Sequence, residues 1–126
     1  MNRLIKTLSV KNGELFVIAA GQRLPLAGFS GRIEIMERTA LVPVLGTVQK
    51  GTKTIYASFI VCGDLEYQRQ MERDFIHSGK VYEAHGDVEG EVLHFAGMRF
   101  EDSDPLNNEL MFEITDLELI QKMLAR

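Results

Sequence analysis

Apolar and polar residues alternate along several stretches of this 126-residue chain, a pattern typical of β-strands with one buried face. The clearest case is residues 29–36, where Phe29, Gly31, Ile33 and Ile35 share one face. Residues 109–115 follow the same rule, with Leu110, Phe112 and Ile114 expected to face inward. Stretches rich in β-branched and aromatic residues indicate further strands near 4–10, 15–18, 55–62, 81–84 and 92–100. The pattern therefore predicts about eight short strands.

Turn-forming residues separate these predicted strands. Asn12-Gly13 lies between two β-type stretches and predicts a hairpin turn, because both residues tolerate positive φ. Residues 20–22 and 86–90 predict further turns, and the polar segments 46–54 and 101–108 predict loops, the first of them mobile. Pro43 has no amide proton, so we expect it at a sheet edge or outside the sheet.

One helix is expected at residues 64–78. Asp64 can cap its first turn, apolar residues recur at four-residue spacing, and Gly79 can end it in the left-handed conformation. The last segment, 117–125, has two interpretations. Leu117, Ile120 and Leu124 favour a helix, whereas Leu117 and Leu119 could continue a strand after a bulge at Asp116. The chain is expected to form one mainly β domain over residues 1–126.

Charge is distributed unevenly along the sequence. Residues 1–63 hold eight Lys/Arg and three Asp/Glu, a net charge of +5, whereas residues 64–126 hold six and fifteen, a net charge of −9. Two interpretations are open: basic and acidic faces that attract one another between copies, or halves that intermingle and cancel. The overall charge of −4 argues against tight nucleic-acid binding.

The sequence has no pattern typical of a membrane segment or a signal peptide, and this indicates the cellular compartment. Apolar stretches are only a few residues long, which predicts no membrane segment, and the first residues lack the pattern of a signal peptide. Cys62, the single cysteine, follows two apolar residues and is expected to be a buried thiol in a reducing compartment. We expect a protein made in the cytoplasm.

Catalytic motifs are missing from the sequence, and we predict no enzyme, no cofactor and no metal site. Ser30 lies within a predicted strand rather than in a nucleophile turn, and no cation lies within three residues of Cys62. His77 suits the last turn of the predicted helix. His85 and His94 could bind a metal only with help from Glu83 or Asp87. The acidic run at 101–104 lacks the central glycine and closing glutamate of a calcium loop.

Several segments, taken in order, resemble the tail-tube proteins of long-tailed phages and phage-like bacteriocins. They are SVKNGELFV (9–17), LAGFSGRIEI (26–35), VPVLG (42–46), KGTKT (50–54) with the strand to Cys62, FIHSGK (75–80) and LMFEITDLEL (110–119). Together they cover most of the chain. Two segments depart from the family pattern. Residues 55–58 replace its aromatic and glycine residues, and 121–124 follow the last strand with a sequence that favours a helix.

The resemblance implies a β-barrel or two-sheet sandwich flanked by a helix, related to the tube protein of type VI secretion. It implies that six copies form a ring by joining edge strands, and that rings stack into a hollow tube through which DNA passes without specific binding. The subunit would meet other tail proteins, and would reside in the virion tail after assembly in the host cytoplasm. The implied self-assembly loop comprises Leu41, Val42, Pro43, Val44, Leu45, Gly46, Lys50, Gly51, Thr52 and Lys53.

Two other functions are compatible with the sequence. The first is a small β-barrel module that binds a ligand or peptide in a groove lined by Phe95, Met98 and Phe100. The second is a metal-dependent enzyme that uses His85 and His94. Stoichiometric metal would indicate the enzyme, and a preformed concave pocket would indicate the binding module.

Overall fold

Six antiparallel strands and one short helix make up the part of the chain that the structure, a computed structural model, describes. The described residues are 2–19, 21–44, 47–62, 81–104 and 106–126. The elements are β1 (Asn2–Ala19), β2 (Gln22–Val44), β3 (Thr47–Cys62), β4 (Val81–Val88), β5 (Glu91–Asp104), β6 (Glu109–Ile114) and α1 (Leu117–Leu124). The expected mainly β fold is confirmed. The helix predicted at 64–78 lies outside the described residues.

The strands close into a barrel in the order β1-β2-β3-β6-β5-β4. Every pairing is antiparallel, and the ring closes where Val10–Ile18 of β1 pairs with Val81–Val88 of β4. Of the two architectures implied by the resemblance, the molecule therefore adopts the barrel. Closure removes open edges from the barrel wall, so unpaired strand edges can exist only where a strand runs past its neighbour.

The barrel interior is filled by the apolar residues of the alternating strands. Ile33 and Ile35 are fully buried, as are Leu110 and Phe112, whereas Glu34 and Met111 between them are partly exposed. Aromatic rings contact one another in and against this core: the Phe112 ring centroid lies 5.0 Å from that of Tyr82 and 5.9 Å from that of the partly buried Phe100. The predicted inward faces of residues 29–36 and 109–115 are thus confirmed for the side chains that the structure describes.

Helix α1 resolves the two interpretations of the C-terminal segment. The Asp116 carboxylate accepts hydrogen bonds from the backbone amides of Glu118 and Leu119, which caps the helix at its first turn. Ile120 and Met123 are buried against the barrel core. No helix in the described residues has the length and apolar character needed to span a bilayer.

Asn12-Gly13 was expected to form a hairpin turn, and this prediction is wrong. Asn12 does adopt positive φ, at 51°, but β1 continues through it. The pairing register shifts between Val10 and Gly13 on the β2 side and between Lys11 and Glu14 on the β4 side, so the dipeptide forms a β-bulge. A Cβ on Gly86 would lie 2.5 Å from the Val10 side chain, which explains the glycine opposite the bulge.

The predicted mobile loop at 46–54 is also wrong, since residues 47–54 belong to β3 and pair with β2. Thr and Val suit strands, and cross-strand pairing outweighs the polar composition of the segment. Likewise, β5 extends to Asp104 within the predicted loop at 101–108, and the predicted turn at 86–90 is confined to Glu89-Gly90. Within the described residues, six strands of six to 23 residues thus stand where more and shorter strands were expected.

Tyr82 provides a prediction about stability. Its hydroxyl is buried without a hydrogen-bond partner in the described residues, and burial raises its pKa to about 12. We expect Tyr82→Phe to raise the free energy of unfolding by about 1 kcal/mol at pH 7, because an unsatisfied buried hydroxyl is costly. From pH 10, the usual tyrosine pKa, to about 12 the unfolded wild type deprotonates first, so its stability falls.

The measurement is urea unfolding of both proteins at pH 7 and pH 11. The advantage of Tyr82→Phe should grow by on the order of 1 kcal/mol at the higher pH. A variant less stable than the wild type at pH 7 would mean that the hydroxyl has a stabilising partner.

Candidate assembly surface

A two-stranded ribbon extends from one end of the barrel, and we call it the arm. It consists of residues 39–44 of β2 and 47–54 of β3, paired from Thr39↔Lys53 to Val44↔Thr47. The pairing of β1 with β2 ends at Arg38, and the pairing of β6 with β3 begins at Ala57. Six residues of strand reach about 20 Å beyond the last barrel pairing. In the described residues, the arm strands have only each other as strand neighbours.

The structure brings the predicted self-assembly residues together in this arm. Those in β2 are Leu41, Val42, Pro43 and Val44, and those in β3 are Lys50, Gly51, Thr52 and Lys53. Leu45 and Gly46 lie outside the described residues. Pro43 pairs with Val48 where β2 has no second strand neighbour among the described residues, as its missing amide proton led us to expect.

An apolar row crosses three strands at the base of the arm. Leu4 pairs with Met36, which in turn pairs with Tyr56, and all three lie on the outer surface. Leu4 is 52% exposed, and the Tyr56 hydroxyl donates to the Met36 sulfur at 3.6 Å. The Arg38 guanidinium lies 4.9 Å from the Tyr56 ring centroid. Sequence reasoning missed this row, because its members become neighbours only through strand pairing.

Ion pairs hold the base of the arm to the barrel. The Glu37 carboxylate lies 3.4 Å from the Arg3 guanidinium on β1 and 3.7 Å from the Lys53 ammonium on β3. Glu37 is the most shielded of the three side chains. Because these partners come from three adjacent strands, they favour one direction for the arm relative to the barrel wall.

The β5–β6 hairpin lies at the opposite end of the barrel. β3 runs from the arm to Cys62, Cys62 pairs with Glu109, and Glu109 pairs with Asp104. We call residues 101–104 the acidic tip, since they hold three carboxylates and no cation. The turn that follows is ordered by Asp104, which accepts from the amides of Leu106 and Asn107, and Leu106 is 94% exposed.

The carboxylates of the acidic tip do not converge on one point. Glu101 accepts from the Ser58 hydroxyl at 2.9 Å, Asp102 accepts from the Ser103 amide, and Asp104 orders the turn. No group of three or more His, Cys, Asp or Glu side chains within the described ranges has the geometry to hold a metal ion. The tip is therefore an acidic surface with carboxylates pointing to separate partners.

The strand order decides how the uneven charge is distributed in space. β1–β3 are adjacent and form one wall, and β4–β6 are adjacent and form the other. The second wall with α1, residues 81–126, holds three Lys/Arg and eleven Asp/Glu, a net charge of −8. Ion pairs between the walls lie near their borders, as in Arg23–Glu83 and Arg32–Glu109. Among the described residues, the basic strands β1–β3 and the acidic strands β4–β6 thus occupy opposite sides of the barrel.

Arg32 on β2 and Glu109 on β6 form a polar link that spans β3, the strand between them. Both terminal nitrogens of Arg32 donate to the Glu109 carboxylate, and its Nε donates to Glu34 at 3.0 Å. Hydrogen bonds to these carboxylates raise the pKa of Arg32 further above its usual range, so its guanidinium stays charged.

Cys62 is exposed at the end of β3, so its predicted burial is wrong. Strand alternation places Phe59 and Val61 inside the barrel and Cys62 outside, which the apolar sequence around it did not indicate. Partial desolvation and the Glu109 carboxylate raise the pKa of the thiol, whereas Arg32 lowers it. The thiol is accessible but is not activated as a nucleophile.

The two described histidines face each other across β4 and β5. His85 pairs with His94, their ring centroids are 5.4 Å apart, and His85 Nε2 lies 3.5 Å from the Glu14 carboxylate. The expected third ligands are engaged elsewhere: Glu83 pairs with Arg23, and Asp87 accepts from the Gly90 amide. His77 lies outside the described residues.

The residues suggested for a ligand groove lie in or against the core. Phe95 and Met98 are buried inside the barrel, and Phe100 packs against the core beside Phe112. Their side chains therefore fill the barrel rather than line an open surface.

Comparison with known proteins identified no relative of this chain. No family model, no curated protein and no solved structure matches this chain.

Proposed function

We propose that this chain is a non-enzymatic structural subunit that assembles with copies of itself into stacked rings, as in the tail tube of a phage or prophage. The arm is the observation that carries the proposal. It extends a two-stranded ribbon about 20 Å past the barrel, and its outer edges have no strand neighbour among the described residues. Unpaired strand edges promote aggregation of a monomeric protein, whereas in an assembling protein they form the contacts between copies.

The closed barrel limits where copies can join. Its wall pairs all the way round, so a neighbouring copy can add strands only at the overhanging segments. In the arm both strands lack a second strand neighbour among the described residues, and the apolar row of Leu4, Met36 and Tyr56 lies at its base. Burial of such a row by a second copy would stabilise the contact, because apolar area removed from water contributes roughly 25 cal/mol per Å².

The charge distribution supports a channel for DNA. The acidic wall of β4–β6 would repel phosphates if it faced a lumen, so that DNA could pass without being held. The subunit would then act in the virion tail, with other tail proteins, after assembly in the host cytoplasm. We propose hexameric rings as the unit that stacks.

Electron microscopy and sedimentation of the concentrated wild-type protein test this function. We expect rings and stacked rings whose fraction rises with concentration, with a smallest closed particle of about 85 kDa for six copies of the 14.2 kDa chain. A protein that remained monomeric at millimolar concentration would contradict the proposal.

A further inference from the structure

The two ends of the barrel carry strand overhangs of opposite charge. The arm segment, residues 39–54, holds Lys50 and Lys53 and no acidic residue, whereas the acidic tip holds Glu101, Asp102 and Asp104 and no basic one. We infer that the arm of one copy docks on the acidic tip of the next copy, so that copies stack head to tail. This inference rests on the proposed function and names the partner of the arm.

Their positions at opposite ends follow from the strand pairing. β3 begins in the arm and ends at Cys62, which lies beside Glu109. Glu109 lies beside Asp104, so the acidic tip and the arm are separated by the length of the barrel. An arm cannot reach the tip of its own molecule, and the contact must join two copies. Because the contacting surfaces differ, repeated copies form an open stack rather than a closed pair.

The backbone permits strand addition at both places. The pairing of β6 with β3 begins at Ala57, so residues 47–54 have only β2 beside them within the described part of the chain. The pairing of β4 with β5 ends at Met98, so β6 is the strand neighbour of the acidic tip there. Strand addition of this kind supplies affinity through main-chain hydrogen bonds.

The opposite charges of the arm and the acidic tip determine which strand overhangs bind each other. The hydrogen-bond donors of the tip carboxylates are a hydroxyl, backbone amides and the Asn107 side-chain amide, and no salt bridge joins these carboxylates to a described cation. Lys53 is largely exposed while it contacts Glu37. Two basic arms repel each other, as do two acidic tips, whereas arm and tip attract. Opposite charge on facing surfaces speeds association and rejects wrong pairings.

The test uses two charge reversals in the full-length chain. The arm variant is Lys50→Glu with Lys53→Glu, and the tip variant is Glu101→Lys with Asp102→Lys, which changes the charge of the acidic tip from −3 to +1. We expect each variant alone to raise the protein concentration at half-maximal stacking by about tenfold or more. An equimolar mixture should restore stacking, because acidic arms then meet basic tips and basic arms meet acidic tips.

Glu89→Lys is the matched control, since Glu89 is an exposed acid in the β4–β5 turn, outside both overhangs. It should stack like the wild type, and thermal unfolding should show all variants folded. Stacking of the wild type with unchanged stacking of both variants would overturn the arm–tip contact and leave the proposed function standing. A wild type that never assembles would overturn both. Recovery in the mixture, but not in either variant alone, would support the contact.

Discussion

Replacement of residues 40–52 by Asn-Gly is expected to abolish ring stacking while the barrel stays folded. The new turn would join Thr39 to Lys53, which already pair across β2 and β3. Asn-Gly suits a two-residue hairpin. The barrel pairings of β2 end at Arg38 on the β1 side, and those of β3 begin at Ala57 on the β6 side, so both survive. Deletion of 50–53 alone would instead shift the register of one strand against the other.

The expected size of the effect follows from the length of edge removed. The concentration at half-maximal stacking should rise by at least about 100-fold, since the contact loses most of its strand pairing and the Lys50 cation. Monomer stability should change by less than about 1 kcal/mol, because a shorter surface hairpin costs little. Analytical ultracentrifugation measures the first quantity, and urea unfolding measures the second.

The matched control introduces the same turn at the other end of β2. There, Asn-Gly replaces Ala20-Gly21 between Ala19 and Gln22, where Gly21 already has a φ of 75°. This variant should fold and stack like the wild type. Normal stacking of the arm-shortened protein would show that assembly does not use the arm.

Phe112→Ala is expected to reduce the free energy of unfolding by about 3–5 kcal/mol. Phe112 is fully buried on β6, and its ring centroid lies 5.0 Å from Tyr82 and 5.9 Å from Phe100. Its removal leaves a cavity that strands from both sides cannot fill, because closed pairing fixes the distances across the barrel. A protein of this size has a total stability of about 5–15 kcal/mol, so the loss is large.

Chemical denaturation monitored by circular dichroism measures this loss. Val92→Ala on β5 is the control, because its side chain is 62% exposed, and it should change stability by less than about 0.5 kcal/mol. Phe112→Leu should lie between the two. A loss below about 1 kcal/mol for Phe112→Ala would mean that the barrel interior repacks freely around position 112.

The local sequence pattern predicted burial correctly where burial depends only on a residue's position within its own strand. The alternation at 29–36 and 109–115 correctly placed Ile33, Ile35, Leu110, Phe112 and Ile114 inside, because side chains on a strand point to opposite faces in turn. The lack of local catalytic motifs supported an assembly function, which stays a prediction. The stretch 41–53 was singled out by resemblance, and pairing then placed its described residues in one ribbon.

The local sequence pattern gave wrong predictions where the same residues suit two different backbone conformations. Positive φ at Asn12 serves a hairpin turn and a β-bulge equally well, and only the partners of β1 on both sides selected the bulge. The polar segment 47–54 was expected to be a loop, yet it became a strand because β2 continues beside it. Cys62 has apolar neighbours in sequence, but its position at the end of β3 directs it to solvent.

The sequence by itself determined that the chain is mainly β, and which face of each alternating strand turns inward, since these depend on side-chain type and a two-residue period. Only the tertiary structure decided that the strands close in the order β1-β2-β3-β6-β5-β4. That closure puts basic and acidic segments on opposite walls, and the arm and the acidic tip at opposite ends. The physical reason is that register and strand order are set by contacts between residues far apart in sequence, which no local pattern records.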